Sequence, residues 1–313
     1  LEKINLGNTD IKITPLGFGA WAWGDRFTWG YGRDYGASDI ELAAQFSLDA
    51  GINFYDTAEI YGQGHSERLV GRYVVSSGKP VVIASKFFPY PWRLRKKSLV
   101  SALRTSLQRL GLKAIDLYQI HWPYPPVPIE AWASGLADVV EAGLARAVGV
   151  SNYNYEQMRR ANGILVNRGV TLASNQVEYH LLDRKIEKNG LLNRCKEMGI
   201  SLISYSPLAQ GLLTGKYTPE KPLPGSRGRR YGGGLITQVQ PLIRLMGEIG
   251  QAYDGKTPSQ VALNWIICKG AIPIPGVKNA QQAEENAGAL GWRLSEVEIA
   301  ALDKISDRIA ESR

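Results

Sequence analysis

The strongest constraint on this chain is an alternation that begins at residue 16 and runs to its end. Short apolar, β-rich runs fall at 16–19, 52–55, 81–84, 115–120, 145–150, 172–176, 200–204 and 271–274. Amphipathic segments follow them: one capped by Ser38 with Glu41 three residues on, one starting at Ser66, and others at 97–110, 129–141, 155–166, 186–198 and 280–287. Strands bounded by helices pair in parallel through right-handed crossovers. Eight such units in one chain predict α/β architecture of the (β/α)8 TIM barrel type. An open doubly wound sheet would carry GxGxxG after its first strand, and here residues 17–24 read GFGAWAWG. The 313 residues suit a single barrel domain spanning 1–313. Residues 1–14 add an N-terminal β-hairpin, with Ile4, Leu6, Ile11 and Ile13 alternating around the turn Gly7-Asn8-Thr9-Asp10. Two stretches break the spacing, 23–36 (WGDRFTWGYGRDYG) and 207–236, and are expected as long loops at the C-terminal rim.

Composition narrows the function classes. No run of 18 apolar residues occurs, so no membrane span is expected. The net charge of +8 is mostly scattered, with clusters at 93–97 (RLRKK) and 227–230 (RGRR), and no nucleic-acid motif accompanies it. Such clusters are solvated loops or attractors of an anionic ligand such as a phosphorylated cofactor. Cys195 and Cys268 lack any paired framework and read as structural thiols of a reducing compartment. A cytoplasmic location is expected, or a plastid one if a targeting segment precedes Leu1. No metal site is expected.

The ends of the apolar runs carry the chemistry. The stretch 51–67 (GINFYDTAEIYGQGHSE) places Asp56 just past one run and Tyr61 five residues later. Lys86 follows VVIAS, and His121 follows IDLYQI. Ser151-Asn152, Asn175-Gln176, Tyr205-Ser206 and the segment 276–278 close four more. In a parallel barrel these positions share one rim, where such folds build their sites. Each alone has an ordinary explanation: a cap for Asp56, a solvated Lys86, a packed His121. Together they form a proton-transfer set. A phenol titrates near pKa 10, about three units above neutrality, and an adjacent ammonium lowers it. Lys86 serves that purpose in this reading, Asp56 holds Lys86, and His121 orients a carbonyl oxygen. The set suits protonation of an oxyanion formed when hydride reaches a carbonyl carbon. Side chains supply no hydride, so a nicotinamide cofactor is required.

The stretches DTAEIYGQGHSE, ASKF, DLYQIHWP, AVGVSN, SNQVEYHLLDR, SLISYSPLAQGLLTGKY and PIPGVKNAQQAEENAGAL occur in this order over nearly the whole chain. In them the sequence resembles the aldo-keto reductase superfamily. The resemblance implies a barrel that binds NADPH in extended form and reduces aldehydes or ketones. It assigns Asp56, Tyr61, Lys86 and His121 as the catalytic tetrad, with Tyr61 the general acid. Ser151, Asn152 and Gln176 would hold the nicotinamide carboxamide, and Tyr205 would stack under its ring, near Gly19, Ala20, Trp21 and Asp56. Ser206, Pro207, Leu208, Gln210, Gly211 and Lys216 would line the pyrophosphate path. Ile274, Gly276, Lys278, Gln282, Glu285 and Asn286 would surround the adenosine end, with Lys278 the candidate for the 2′-phosphate. Many relatives carry an arginine where Gln282 stands, which weakens the phosphate clamp.

A closer resemblance is to plant-type pyridoxal reductases, carried by GFGAWAWG with TWGYG, by FPYPWRL (88–94), NWIICKG (264–270) and GALGWRL (288–294). The implied partner is a small-molecule carbonyl substrate such as an aromatic aldehyde. Trp21, Trp23, Trp29, Tyr31, Phe87 and Trp122 are the candidate pocket rings. Two alternatives stay open: a redox-sensing regulatory subunit that binds NADPH with little turnover, and a barrel aldolase using Lys86 as a Schiff-base nucleophile.

Overall fold

The computed structural model of the chain describes residues 1–223, 228, 231 and 234–311. The basic residues Arg227, Arg229 and Arg230 lie outside the described residues. The hairpin is present: β1 (Ile4–Asn5) pairs antiparallel with β2 (Lys12–Ile13). Gly7, at φ 57°, approaches Ala173 so closely that a Cβ would lie 2.4 Å from its carbonyl oxygen. Only glycine meets both demands.

Among the described residues eight strands form one parallel sheet. They are β3 (Phe18–Gly19), β4 (Phe54–Asp56), β5 (Val82–Phe87), β6 (Ile115–Ile120), β7 (Ala145–Ser151), β8 (Leu172–Glu178), β9 (Ser201–Tyr205) and β10 (Ile272–Pro273). Each pairs with its neighbour in sequence. The two outer strands then meet. Gly17 N donates to Pro273 O (3.1 Å), Gly19 N donates to Pro275 O (3.0 Å), and Gly19 bridges Gly276 in parallel. The arrangement is consistent with a (β/α)8 barrel.

The α-helices bounded among the described residues include α1 (Ala37–Asp49), α2 (His65–Tyr73), α3 (Lys97–Leu110), α4 (Ile129–Glu141), α5 (Tyr155–Val166), α6 (Lys185–Lys188), α7 (Leu191–Glu197), α8 (Leu235–Gln251), α9 (Pro258–Cys268), α10 (Ala280–Ala287) and α11 (Glu296–Glu311). Two starts and one continuity differ from the sequence expectation. Helix α1 is capped at Gly36, whose N–H donates to Asp39 Oδ2, rather than at Ser38. Helix α2 begins one residue before Ser66. The segment 186–198 is not one helix: Gly190 at φ 77° separates α6 from α7.

Strand periodicity sorts the core into two clusters. Phe54, Val82, Ala84, Leu117, Ala147, Ala173, Ile203, Ile272 and Ile274 pack with Leu6, Ile11 and Ile13 of the hairpin. Tyr55, Ile83, Phe87, Tyr118, Ile120, Val148 and Val150 pack outward among the helices. Following the inward parity toward the strand ends leads from Phe54 to Asp56, from Ala84 to Lys86, and from Leu117 to Gln119 and His121. The apolar inner cluster therefore continues as a polar layer. A register shift between Val148 and Gly149 lets both Ala173 and Ser174 join the inner side.

Candidate active site

Strand β4 ends at Asp56, which is 2% exposed, and β5 carries the fully buried Lys86. Lys86 Nζ donates to Asp56 Oδ1 (2.5 Å) and to Thr57 O (2.8 Å). Asp56 Oδ2 accepts from Gln176 Nε2 (2.9 Å) and Gln119 Nε2 (3.3 Å). Tyr61 arrives on a tight turn after β4, where Gly62 and Gln63 take left-handed φ values of 54° and 55°. A Cβ on Gly62 would lie 2.8 Å from Gly24 O, so the turn needs glycine there. Tyr61 Oη sits 3.5 Å from Lys86 Nζ. The Tyr61 ring stacks on Trp21 at 5.9 Å and meets the His121 ring edge-on at 5.7 Å. The four residues of the expected tetrad are thus neighbours.

Burial lowers the Lys86 pKa, while Asp56 and, more weakly, Glu67 push it back up. Glu67 is itself buried; it accepts from Ser85 Oγ (2.6 Å) and Arg109 (2.9 Å). The sequence reading expected Lys86 to depress the Tyr61 pKa. Instead burial, then the Asp56 charge, hold the phenol well above its ordinary value. The ammonium charge is committed to Asp56 and the Thr57 carbonyl. Burial, then Lys86, keep His121 well below its usual pKa, so its imidazole is neutral at physiological pH. A neutral imidazole offers one N–H donor and one acceptor. His121 Nδ1 is buried with no hydrogen-bond partner among the described residues.

A second set of groups extends from the tetrad. Ser151 Oγ donates to Gln176 O (2.8 Å), Asn152 Nδ2 donates to His121 O (3.1 Å), and Tyr205 Oη donates to Asn152 Oδ1 (3.0 Å). Asn152, Ser206 and Gln210 hold left-handed backbone at φ 62°, 51° and 53°. Non-glycine residues there are strained, and such strain collects at ligand sites. All three line a cavity of about 820 Å³ that opens from Tyr61 and His121.

Of the candidate cofactor residues, Gly19, Trp21, Asp56, Ser151, Asn152, Gln176, Tyr205, Ser206, Pro207, Leu208, Gln210, Gly211, Lys216, Ile274, Gly276, Lys278, Gln282, Glu285 and Asn286 line this cavity. Ala20 is buried beside it, donating its N–H to Asp56 O. Lys278 Nζ donates to Trp29 O (3.0 Å) and lies over the Trp29 and Tyr35 rings. Among the candidate pocket rings, Trp21, Trp29 and Trp122 line the cavity. Trp23 does not; it is buried, with Nε1 donating to Val277 O (2.9 Å). Tyr31 packs against Tyr35 and His65. Phe87 has the outward parity and packs on Trp132 of α4 (4.9 Å), so the next residue, Phe88, faces the cavity instead.

Sequence reasoning did not single out Gln119 or Glu67, and it named Phe87 rather than Phe88 as the pocket ring of that loop. Strand parity was the available signal for Gln119, two residues before His121. The donor set fits an extended dinucleotide. Amide and hydroxyl groups of Ser151, Asn152 and Gln176 match a carboxamide, the half-exposed Tyr205 offers a flat face, and Lys216 and Lys278 supply cationic wall for phosphates.

Comparisons with known proteins point the same way. A sequence model of the Aldo/keto reductase family matches residues 15–307. The chain is 41% identical over 315 residues to the chloroplastic pyridoxal reductase of Arabidopsis thaliana, covering 96% of this chain and 85% of the relative. It is 32% identical to the aldo-keto reductase YhdN of Bacillus subtilis, covering 94% and 90%. A glycerol dehydrogenase from Gluconobacter oxydans superposes with a TM-score of 0.86 at 28% identity, covering 98% of this chain and 95% of that one. An aldo-keto reductase from Klebsiella pneumoniae in complex with NADPH superposes with a TM-score of 0.76 at 28% identity, again covering 98% and 95%. The chain belongs to the aldo/keto reductase family and is an NADP(H)-dependent oxidoreductase acting on carbonyl and alcohol groups.

Proposed function

We propose that this chain folds as a single closed (β/α)8 domain and reduces aldehydes to alcohols, with Tyr61 as the proton donor. The observation that carries the assignment is the convergence of Tyr61, Lys86, Asp56 and His121 at one end of the large cavity. Ser151, Asn152 and Gln176 would hold the carboxamide of NADPH, and Lys216 and Lys278 would meet its phosphates. Bound NADPH supplies the hydride.

The side chains do the rest. Neutral His121 and the Tyr61 hydroxyl hold the carbonyl oxygen by hydrogen bonds. The raised Tyr61 pKa keeps the proton on the phenol until negative charge grows on that oxygen. Tyr61 then gives up its proton, and the phenolate left behind lies 3.5 Å from the Lys86 ammonium. Asp56 fixes that ammonium through Oδ1 while Gln119 and Gln176 fix Asp56 through Oδ2. Bonds to Asp56 and Thr57 O also tie Lys86 down as a positioned cation, which argues against a Schiff-base role.

Tyr61→Phe should retain NADPH binding, read by cofactor fluorescence, and lose reduction of 4-nitrobenzaldehyde by at least about a hundredfold. Near-normal turnover by that variant would sink the assignment. Pyridoxal is the proposed substrate among aromatic aldehydes, supported by the Arabidopsis relative and by Trp21, Trp29 and Trp122 on the cavity wall. A panel of pyridoxal, methylglyoxal and simple aromatic aldehydes with NADPH and NADH tests it; no turnover of pyridoxal would remove it.

A further inference from the structure

Phe88 and Trp122 begin a line of aromatic rings that leaves the cavity and reaches solvent. Phe88 meets His121 edge-on at 5.6 Å and packs on Tyr90 at 4.7 Å. Tyr90 stacks on Trp92 at 4.7 Å with their planes 9° apart. On the other side Trp122 stacks on Tyr124 at 5.3 Å with planes 3° apart, and Tyr124 meets Phe88 at 6.1 Å. Trp92 is 73% exposed and Tyr124 43%. Large apolar rings in water, arranged in parallel pairs and continuous with a ligand cavity, mark a binding surface.

The line is anchored from below. Glu59, 8% exposed, accepts from Phe88 N (2.7 Å) and is bound through both carboxylate oxygens by the Arg93 guanidinium. Arg93 also donates to Phe88 O (2.8 Å), and its guanidinium lies 4.8 Å from the Phe87 ring and 5.1 Å from the Tyr90 ring. A bidentate, charge-assisted clamp of this kind fixes geometry as well as adding energy. It holds the backbone at Phe88 and places the guanidinium over the Tyr90 ring. The outer rings therefore stand on a positioned base, and a ligand meeting them gives up less ordering entropy.

We propose that Phe88, Tyr90, Trp92, Trp122 and Tyr124 form an outer stacking subsite for a planar aromatic group attached to the carbonyl substrate. It adds affinity for aldehydes that extend beyond one ring, over and above what the inner wall gives a single-ring aldehyde. This rests on the reading of the chain as a carbonyl reductase. The inner wall handles the reacting carbonyl, while the outer rings bind by face-to-face and edge contacts that are indifferent to the chemistry.

The test compares benzaldehyde with biphenyl-4-carboxaldehyde in the wild-type protein and in Trp92→Ala and Tyr124→Ala. Both side chains are exposed, so the fold should survive their removal. The wild type should favour the biphenyl substrate in kcat/KM. Each variant should lose up to about tenfold for it, mainly through KM, with benzaldehyde changed less than twofold. Equal losses on both substrates, or no loss on either, overturn the subsite. Calorimetric titration of the product alcohol, biphenyl-4-methanol, with the NADP+-bound protein gives a readout independent of turnover. Weaker binding in Trp92→Ala supports the subsite, and unchanged binding overturns it. If the wild type turns over no aldehyde but binds the alcohol through Trp92, the reductase reading fails while the subsite stands.

Discussion

At the residue scale the decisive contrast is between what Asp56 and Lys86 need and what Tyr61 needs. Both partners of the pair are withdrawn from water, and each relies on the other. Lys86→Met should therefore leave a buried carboxylate with no counter-ion and cost about 3–5 kcal/mol. Urea unfolding at neutral pH measures it. His121 gives a pH effect. Its folded pKa is depressed, so below about pH 6.5 the unfolded chain binds a proton that the native state refuses. Stability should be fully present above that pH and fall below it, at up to about 1.4 kcal/mol per pH unit. His121→Gln should flatten this part of the profile; an unchanged slope in that variant would contradict the assignment. The meeting of Asp56, Lys86 and His121 was legible because each ends a recognisable apolar run, with Tyr61 five residues past Asp56. The raised pKa at Tyr61 was not, because it comes first from how deeply the phenol is buried and then from the Asp56 charge beside it, and no spacing encodes either.

At the element scale, pattern reading worked where one face was apolar and failed elsewhere. Helices α3, α4, α5 and α10 have the expected bounds. Helix α9 was not delimited: nearly all its residues are buried, so it has no polar stripe to set a period. Helix α8 carries Pro241 in its interior, which reads as a breaker. The Phe87 assignment was off by one because strand parity, not proximity in sequence to Lys86, decides which side a residue faces. Close packing between α2 and α3 gives an element-scale prediction. A Cβ on Gly71 would lie 2.8 Å from Leu110 O and 2.9 Å from Arg109 O. These are backbone atoms, so the helices must separate. Gly71→Ala should lower stability by about 1–3 kcal/mol while leaving KM for NADPH within about twofold. A thermal midpoint equal to wild type would show that α2 shifts freely.

At the scale of the whole molecule, the +8 charge and the cavity-lining Lys216 and Lys278 imply long-range attraction of an anionic cofactor. NADPH affinity should fall several-fold between low and high salt, and Lys216→Ala should reduce that slope. Salt-independent binding in a fluorescence titration would rule the attraction out. The architecture itself was legible as eight repeats. Its inner cluster was less so, because hairpin residues Leu6, Ile11 and Ile13 pack there with strand residues far along the chain.

The meeting of β3 with β10 has a consequence for synthesis. Gly17 and Gly19 emerge from the ribosome well before their hydrogen-bond partners Pro273 and Pro275, which come more than 250 residues later. Until then the nascent sheet has a bare edge at each end, one permanent and one advancing with each new strand. Bare edges recruit other chains. The longest interval of translation is thus also the interval of greatest exposure, and chaperone occupancy on stalled chains should persist until residue 276 has cleared the exit tunnel.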